Sequence, residues 1–229
     1  MIVNNNQRFK DAIWVPKNPQ QVMIGGSGGI GSWLTFFLSR MGFIIYLYDF
    51  DTIEEHNLGG QLFKQEDVGT RKVDAVARIA REYNGAEVTT FCEEVNEFSN
   101  YHHYSFSAFD NMKARKILFK NWKKSWARAH QLGITPIFID GRLELETFQI
   151  FCVLPKDADK YEASLFLDAS VEEAPCTLKQ SSHTAAMIGS TMSLFFTNHI
   201  TNVVTGENMR DVPFYYEFVG PMAMTILKL

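Results

Sequence analysis

The chain has 229 residues, of which 46% are hydrophobic and 21% are charged, and its formal net charge is −4. This length and composition predict one or two globular domains, and the mild acidity provides no general attraction to nucleic acid or to an anionic membrane. Because the amino terminus lacks the apolar core of a signal peptide and no apolar run reaches the ~18 residues of a membrane span, we expect a cytoplasmic protein.

The first part of the chain alternates between predicted strands and predicted helices. The strands are expected at residues 21–24, 43–48, 88–91, 104–109 and 134–140, and the helices at residues 33–41, 70–83 and 112–131. The run at 43–48 is continuously apolar, which is typical of parallel strands because both of their faces are buried. This alternation predicts an α/β fold with a mostly parallel sheet and helices on both faces.

The pattern changes after residue 140. The strand predicted at 145–155 follows without a crossover helix, so we expect it to be antiparallel to its neighbours. An acidic, irregular stretch is predicted at 156–175, a long helix rich in small residues at 180–204, and a hairpin at VPFYYEFVG and AMTILKL. Since no linker or repeat interrupts the chain, we expect a single domain over 1–229, with a parallel part at 20–140 and a second part at 141–229.

A glycine-rich turn follows the first predicted strand. Gly26, Gly28 and Gly31 have the spacing G-x-G-x-x-G, with Gly29 inside the motif, and the turn leads into a helix. Glycines let a backbone approach phosphates closely, and the free N–H groups at a helix start attract anions. Asp49 ends the next strand, about 20 residues on, where a carboxylate can bind a ribose. The motif predicts a Rossmann-like nucleotide site for either NAD or ATP, with a glycine turn that binds no ligand as the alternative.

Further motifs lie beyond the glycine turn, in DFDTIEEHNLGGQLFKQEDVGTRKVDA and in SAFDNMKAR. With the glycines, they resemble the ThiF/MoeB family, the adenylating domain of E1-like (ubiquitin-activating) enzymes, whose pattern is D-x-D-x-V, N-L-x-R-Q, G-x-x-K and D-N-x-x-x-R. The matching residues are Asp49 and Asp51, then Asn57, Leu58 and Gln61, then Gly69 and Lys72, and finally Asp110, Asn111 and Arg115. The resemblance covers most of residues 20–205 and is far more specific than the glycines alone.

The resemblance implies a reaction, a partner and a set of residue roles. In the family, the C-terminal carboxylate of a small ubiquitin-like or sulfur-carrier protein attacks the α-phosphate of ATP, and members of this size form homodimers. By this resemblance Asp49 binds the ribose, Lys72 contacts the phosphates and Asp110 holds Mg²⁺, which prefers oxygen ligands. The other nucleotide-binding candidates are Asp51, Asn57 and Gln61.

Structural explanations compete with these roles. In the structural interpretation, Lys72 is an exposed lysine on a helix, and Asp51 caps its own loop. Asp110 followed by Asn111 otherwise caps the helix that begins there, because both residue types favour that position. The sequence leaves the functional and structural interpretations of Asp51, Asn57 and Gln61 equally open.

One position departs from the family pattern, because Gly60 stands where N-L-x-R-Q has its arginine. Loss of a charged donor at a phosphate site would cost a few kcal/mol of transition-state stabilisation. In one interpretation another arginine stands in for it, and the candidates are Arg8, brought across a dimer interface, and Arg71. The alternative is that the chain is a nucleotide-binding module that recruits a partner and catalyses weakly. A third class, an NAD-dependent oxidoreductase, would need neither Lys72 nor FDNMKAR.

The three cysteines include no CxxC pair, so we expect free thiols and no structural zinc. Cys176 lies in PCTL, which resembles the segment around the catalytic cysteine of larger E1 enzymes and implies a thioester with the activated carboxylate. Lys179 and His183 lie near in sequence and could lower its pKa, whereas a buried structural cysteine is the alternative. Cys92 and Cys152 are expected in the core.

The helix predicted at 112–131 has an apolar stripe formed by Leu118, Trp122, Trp126 and Ala129. It also carries many basic side chains, including Arg115, and no acidic one. Such a distribution predicts a solvated basic face, with a docking surface for an acidic partner as the alternative.

Overall fold

An eight-stranded mixed sheet runs through the protein, in a computed structural model that describes residues 9–15, 20–165 and 180–228. The strands are β1 (Gln21–Gly25), β2 (Ile44–Tyr48), β3 (Val88–Phe91), β4 (Tyr104–Ser107), β5 (Ile137–Glu144), β6 (Thr147–Val153), β7 (Tyr215–Val219) and β8 (Met224–Lys228). Their order in the sheet is β3-β2-β1-β4-β5-β6-β7-β8. The first five in this order are parallel, and the last three continue the sheet in antiparallel fashion. The predicted fold class is confirmed.

The strand order creates a crevice beside β1. The chain leaves β1 for β2 and β3 on one side, and then returns to form β4 on the other side. At such a reversal, the connections that leave the two strands diverge, and ligands of open α/β sheets bind beyond the carboxyl ends of these strands. The glycine turn follows β1 and the segment Ala108–Asn111 follows β4, so both lie at this point.

Six helices connect and cover the strands in the described ranges. They are α1 (Gly29–Arg40), α2 (Lys72–Asn84), α3 (Met112–Lys124), α4 (Trp126–Gln131), α5 (Ala158–Glu162) and α6 (Ser182–Thr205). Short 3-10 turns occur at Glu55–Asn57, Gln65–Asp67, Pro155–Asp157 and Gly220–Met222. α1 begins inside the glycine turn, several residues before the predicted start at residue 33, because glycines at a helix start do not prevent helical hydrogen bonds.

The prediction of a single helix at 112–131 is wrong, since α3 and α4 are separate helices. The break lies at Ser125, whose N–H donates to the carbonyl of Trp122, three residues back, at 2.9 Å. This spacing belongs to the tighter 3-10 turn, so the regular α-helical hydrogen bonds are interrupted there. The apolar stripe nevertheless stays continuous, because the rings of Trp122 and Trp126 meet edge to face with centroids 5.2 Å apart.

Apolar side chains fill both sides of the sheet. Successive strand residues point to opposite faces, so Val22 and Ile24 of β1 join one core cluster while Met23 joins the other. The first cluster includes residues of α1, α2 and α6, and the second includes residues of α3 and α5. α6 packs closely on α1 at Gly189, where an added Cβ would lie 3.1 Å from the backbone nitrogen of Leu34. This contact explains why residue 189 of the long helix is a glycine.

In the second half of the chain, the predicted antiparallel strands are present, whereas the connection that follows β6 begins with helical turns instead of irregular structure. β6 is antiparallel to β5 and β7, and β7 and β8 form the predicted hairpin. The stretch predicted as irregular at 156–175 begins with a 3-10 turn and α5, and its remaining part from 166 onward lies outside the described residues. Among the helices that the structure describes, none has the length and apolar character needed to cross a membrane.

Candidate functional site

The glycine turn is fixed to both strands that flank β1. Gly26 N donates to the carbonyl of Tyr48 at the end of β2, at 2.8 Å, and Ala108 N after β4 donates to Gly25 O, also at 2.8 Å. These bonds extend the parallel ladders past the strand ends. The turn is therefore held at the crevice between β1 and β4, where its predicted ligand would bind.

Three of the motif glycines, Gly26, Gly28 and Gly31, differ in what a side chain at their position would meet. Gly26 has a φ of +93°, and a Cβ there would lie 2.7 Å from the carbonyl oxygen of Ala108. A Cβ on Gly31 would overlap the carbonyl oxygen of Gly26. A Cβ on Gly28 would meet, among the described residues, only the side-chain nitrogen of Gln61 at 3.9 Å. Packing thus requires glycine at positions 26 and 31, whereas at position 28 the described neighbours leave open space that a ligand could approach closely.

The start of α1 lies at this turn and has backbone donors without a partner inside the helix. Gly28 is the N-cap, it has no side-chain capping bond, and its carbonyl accepts from Ser32 N at 3.0 Å. The first N–H groups of an α-helix have no partner within the helix, and α1 is twelve residues long. Such a helix start is suited to an anion, since the N–H groups and the helix dipole act together.

Asp49 holds the glycine turn in place. Its carboxylate accepts a hydrogen bond from Ser27 N at 2.6 Å and another from Asp51 N at 2.9 Å. A carboxylate has about four acceptor positions, so these two bonds leave capacity for ribose hydroxyls. Asp49 is therefore at the predicted place, and it also has a structural role that the sequence did not suggest.

Lys72 is buried rather than solvated, so the interpretation as an exposed helical lysine is wrong. The residue is 7% exposed, and its Nζ lies 2.6 Å from Asp51 Oδ2. Its backbone N–H also donates to Asp51 O at 3.0 Å, at the first residue of α2. Asp51 thus pairs with Lys72 and fixes the start of α2. An ammonium has three donors, so two remain for a phosphate.

Asn57 and Gln61 shape the loop between β2 and α2 in different ways. Asn57 is buried, and its side-chain oxygen accepts from Glu54 N at 2.9 Å, which gives it a structural role. Gln61 is 9% exposed, and its side-chain oxygen has no hydrogen-bond partner in the described part of the chain. The same holds for the hydroxyl of Ser27, which is fully buried. Buried polar atoms without partners are costly, so these two groups point to a ligand or bound water.

The segment after β4 presents one exposed carboxylate. Asn111 is the N-cap of α3 and accepts from Ala114 N at 2.8 Å, so the capping interpretation is confirmed for this residue. Asp110 is exposed, and its Oδ1 accepts from the Asn111 amide at 3.3 Å. Mg²⁺ is commonly held by one or two carboxylates together with substrate phosphates. An exposed carboxylate just beyond the carboxyl end of β4 suits that ion, and no group of three or more acidic, His or Cys ligands occurs in the described ranges.

Arg115 points into the protein, which corrects its expected place on a solvated basic face. It is 4% exposed and donates to Asp140 and to the carbonyls of Phe109 and Gly141. Arg142 donates to the other oxygen of Asp140 at 2.9 Å. Because Arg115 holds the Phe109 carbonyl, it fixes the backbone from which Asp110 projects.

Gly60 lies beside Gln180, for which the sequence predicts no role. A Cβ on Gly60 would lie 2.7 Å from Gln180 Cγ, and a Cβ on Gly29 would overlap the side-chain oxygen of Gln180. The carbonyl of Gly60 accepts from Trp33 Nε1 at 3.4 Å. No local motif marks Gln180, because its proximity to the glycine turn depends on the placement of α6.

Two predicted catalytic residues, Arg8 and Cys176, lie outside the described residues, as does Lys179. His183 lies in the first turn of α6 with its side chain 65% exposed. Arg71 is exposed and is the N-cap of α2.

The two other cysteines differ in burial. Cys152 is buried, as predicted, and burial raises the pKa of its thiol far above the ordinary value. Cys92 is exposed, so its predicted place in the core is wrong. It follows the last residue of β3, where pairing with β2 has ended.

The ThiF family model matches residues 18–222, which is most of the chain. Among curated proteins, the chain is 34% identical over 103 residues to the Nedd8-activating enzyme E1 catalytic subunit of Drosophila melanogaster, covering 42% of this chain and 23% of that protein. It is 24% identical over 216 residues to ubiquitin-like modifier-activating enzyme 5 of Branchiostoma floridae, covering 84% of this chain and 49% of that protein. The chain spans less than half the length of these relatives.

Solved structures share the fold at low sequence identity. The E. coli MccB structure with ATP superposes with a TM-score of 0.71 at 16% identity, covering 99% of this chain and 71% of that one. The PaaA structure gives a TM-score of 0.62 at 20% identity, covering 91% and 72% of the two chains. At these identities the likeness shows a common Rossmann-like architecture.

Proposed function

Because the chain belongs to the ThiF family, we propose that it catalyses ATP-dependent adenylation of the C-terminal carboxylate of a small ubiquitin-like or sulfur-carrier protein. The observation that carries this proposal is the buried Lys72, which is held by Asp51 in the loop that follows β2. A cation in this position suits the phosphates of ATP, whereas NAD binding at a glycine turn does not require one. The names of the relatives, E1-like activating enzymes, support the same class of reaction.

The proposed chemistry requires positioning and charge stabilisation rather than a general base. An oxygen of the carrier carboxylate, which is ionised at neutral pH, forms a bond to the α-phosphorus of ATP. The bond between that phosphorus and the oxygen bridging to the β-phosphorus breaks, and pyrophosphate leaves with the electron pair. Lys72 and the first N–H groups of α1 stabilise the phosphate charge, and Asp49 binds the ribose.

Magnesium completes the charge balance of the proposed site. Asp49, Asp51 and Asp110 bring three carboxylates to the proposed site, and Lys72 pairs with one of them. ATP itself is strongly anionic, so its binding here needs a divalent ion. Asp110 would hold this ion together with the phosphates, and the ion would neutralise charge on the leaving pyrophosphate.

The proposal extends to residues outside the described part. Arg8 would supply positive charge across a homodimer interface, in place of the family's arginine, whose position Gly60 occupies in this chain. Cys176 would accept the activated carboxylate as a thioester, with AMP as the leaving group. These steps rest on the family resemblance and on the order of motifs in the chain.

A second candidate function is a nucleotide-binding module that recruits a partner and catalyses weakly. Gly60 favours it, since the site then has one cation fewer at the leaving pyrophosphate. Both candidates require ATP binding, and they differ in whether carrier-dependent chemistry follows.

Two measurements test the proposal. ATP with Mg²⁺ should raise the melting temperature by roughly 5–10 °C at a hundredfold excess over Kd, and NAD should raise it much less. Carrier-dependent ATP–pyrophosphate exchange should be present in the wild type and absent in Asp110→Ala. An equal or larger thermal shift with NAD would contradict the ATP site. ATP binding without exchange, with the proven carrier, would favour the recruiting module.

A further inference from the structure

Gln180 is placed where its side chain can act on a ligand of the glycine turn. It forms an isolated parallel bridge with Leu145, at the turn between β5 and β6, and it lies just before α6. From there its amide lies over Gly29, the first residue of α1, and over Gly60. Any side chain at position 29 would overlap the Gln180 amide, and a Cβ at position 60 would crowd it. The absence of side chains at these two positions therefore makes the space that Gln180 occupies.

A second amide lies on the neighbouring glycine. The Gln61 side-chain nitrogen is the described atom nearest to the open side of Gly28, and its oxygen is buried without a partner in the described ranges. Gln61 and Gln180 thus border the turn at consecutive glycines. Amide groups can donate and accept, so a pair of them suits a ligand that combines phosphate oxygens with hydroxyl groups.

The Gln180 amide lies close to the start of α1, and it can turn either its oxygen or its nitrogen toward the helix. Its carbonyl oxygen, which carries partial negative charge, faces the positive end of α1. The oxygen lies beside Gly29, and the helix N–H groups stay available because no described hydrogen bond joins them to Gln180. When an anion occupies the helix start, the favourable orientation reverses. Rotation about the last side-chain bond then brings the amide hydrogens toward the anion.

We propose that Gln180 binds a phosphate group of the nucleotide through its side-chain amide, and that Gly60 is glycine to leave room for it. This inference rests on the proposed function. It makes Gln180 a binding residue with a neutral donor, in a site whose described side chains include one cation, Lys72. Neutral donors stabilise phosphate charge when they are held in place, as the bridge to Leu145 holds the Gln180 backbone.

The test compares ligands that differ only in their phosphates. Isothermal titration with ATP–Mg²⁺ and with adenosine is carried out on the wild type, on Gln180→Ala and on the near-isosteric Gln180→Glu. Gln180→Ala should weaken ATP binding about tenfold, the scale of one lost hydrogen bond to a charged group. Gln180→Glu should weaken it further, because it places negative charge near the phosphates. Adenosine binding should change less than twofold, which a general loss of structure would not permit.

Two glycine variants provide matched controls. Gly60→Ala should weaken ATP binding in the wild type by displacing Gln180, and should add nothing further in a Gln180→Ala background. Neither Gly59 nor Gly60 has a positive φ, and a Cβ on Gly59 meets no described atom within 4 Å, so Gly59→Ala should bind ATP like the wild type. Unchanged or tighter ATP binding in Gln180→Ala would overturn the role of Gln180 and leave the proposed function standing. Absence of ATP binding in the wild type would overturn both.

Discussion

The Nζ of Lys72 lies 2.6 Å from Oδ2 of Asp51, and the backbone N–H of Lys72 donates to the carbonyl of Asp51 at 3.0 Å. Two bonds between the same residues thus join the loop after β2 to the start of α2. The Asp51 side chain is 46% exposed while that of Lys72 is 9% exposed, so the ammonium is the more deeply placed partner. The ion pair sets the position from which Lys72 would reach a phosphate.

Replacement of Lys72 should separate catalysis from stability. We expect Lys72→Met to lower carrier-dependent ATP–pyrophosphate exchange by at least ~100-fold, since a charged donor to the phosphates is lost. The free energy of unfolding should fall by only about 1 kcal/mol, because Asp51 stays solvated and the methionine fills the same space. Lys120→Met, an exposed position on α3, is the control and should change neither quantity. Full exchange activity in Lys72→Met would remove this residue from the mechanism.

Arg8 should matter for exchange and less for nucleotide binding. If it reaches the site of a second subunit, Arg8→Ala should reduce exchange by about 100-fold, the scale of one lost oxyanion donor. ATP affinity should change much less, since Asp49 and the glycine turn remain. Arg71→Ala is the matched comparison, because Arg71 is the competing candidate. Robust exchange in Arg8→Ala with loss in Arg71→Ala would assign the role to Arg71, and activity of an isolated monomer would exclude a residue supplied by a partner subunit.

In the proposed mechanism the thioester forms on Cys176, rather than on Cys92 or Cys152. Cys176→Ala should abolish an adduct with the carrier that is sensitive to reducing agent, and it should leave adenylate formation intact. The adduct is detected by non-reducing electrophoresis and mass spectrometry. Cys92→Ala is the control, because Cys92 is the exposed cysteine of the described chain. Persistence of the adduct in Cys176→Ala would show that this thiol is not the acceptor.

Buried His199 should make the protein less stable in mild acid. Burial lowers its pKa from 6.5 to about 4, although its Nε2 lies 2.8 Å from the carbonyl of Thr135. The unfolded chain therefore binds a proton between these values while the folded chain does not. The contribution of neutral His199 to the free energy of unfolding is complete above pH 6.5, and it is lost as the pH falls toward 4.

Urea unfolding at two pH values measures this effect. Between pH 7 and pH 5, this histidine alone should reduce the free energy of unfolding by roughly 2 kcal/mol. His199→Gln, which retains a donor for the Thr135 carbonyl, should remove that part of the pH dependence. His130→Gln, at an exposed position of α4, should retain it. An unchanged pH dependence in His199→Gln would mean that another group, such as His102 with its pKa of about 4, is responsible.

The sequence by itself determined the class of fold, the alternation of elements and the family. Apolar runs marked β2 and β3 nearly residue by residue, and the glycine spacing placed a turn and a helix after β1. These features are local, because hydrophobic periodicity and backbone conformation depend on residues a few positions apart. The order of short motifs added the family, since several weak patterns in one order are specific together.

The tertiary structure decided which side chains meet. Asp51 with Lys72, and Arg115 with Asp140, are separated by more than twenty residues, and no periodicity encodes such pairs. The same reason explains the errors: Lys72 and Arg115 resemble solvated helical cations in sequence, yet their carboxylate and carbonyl partners turn them inward. Gln180 carries no local signal at all. The packing of α6 on α1, together with the bridge to Leu145, brings it to Gly29 and Gly60, where the lack of two side chains leaves it room.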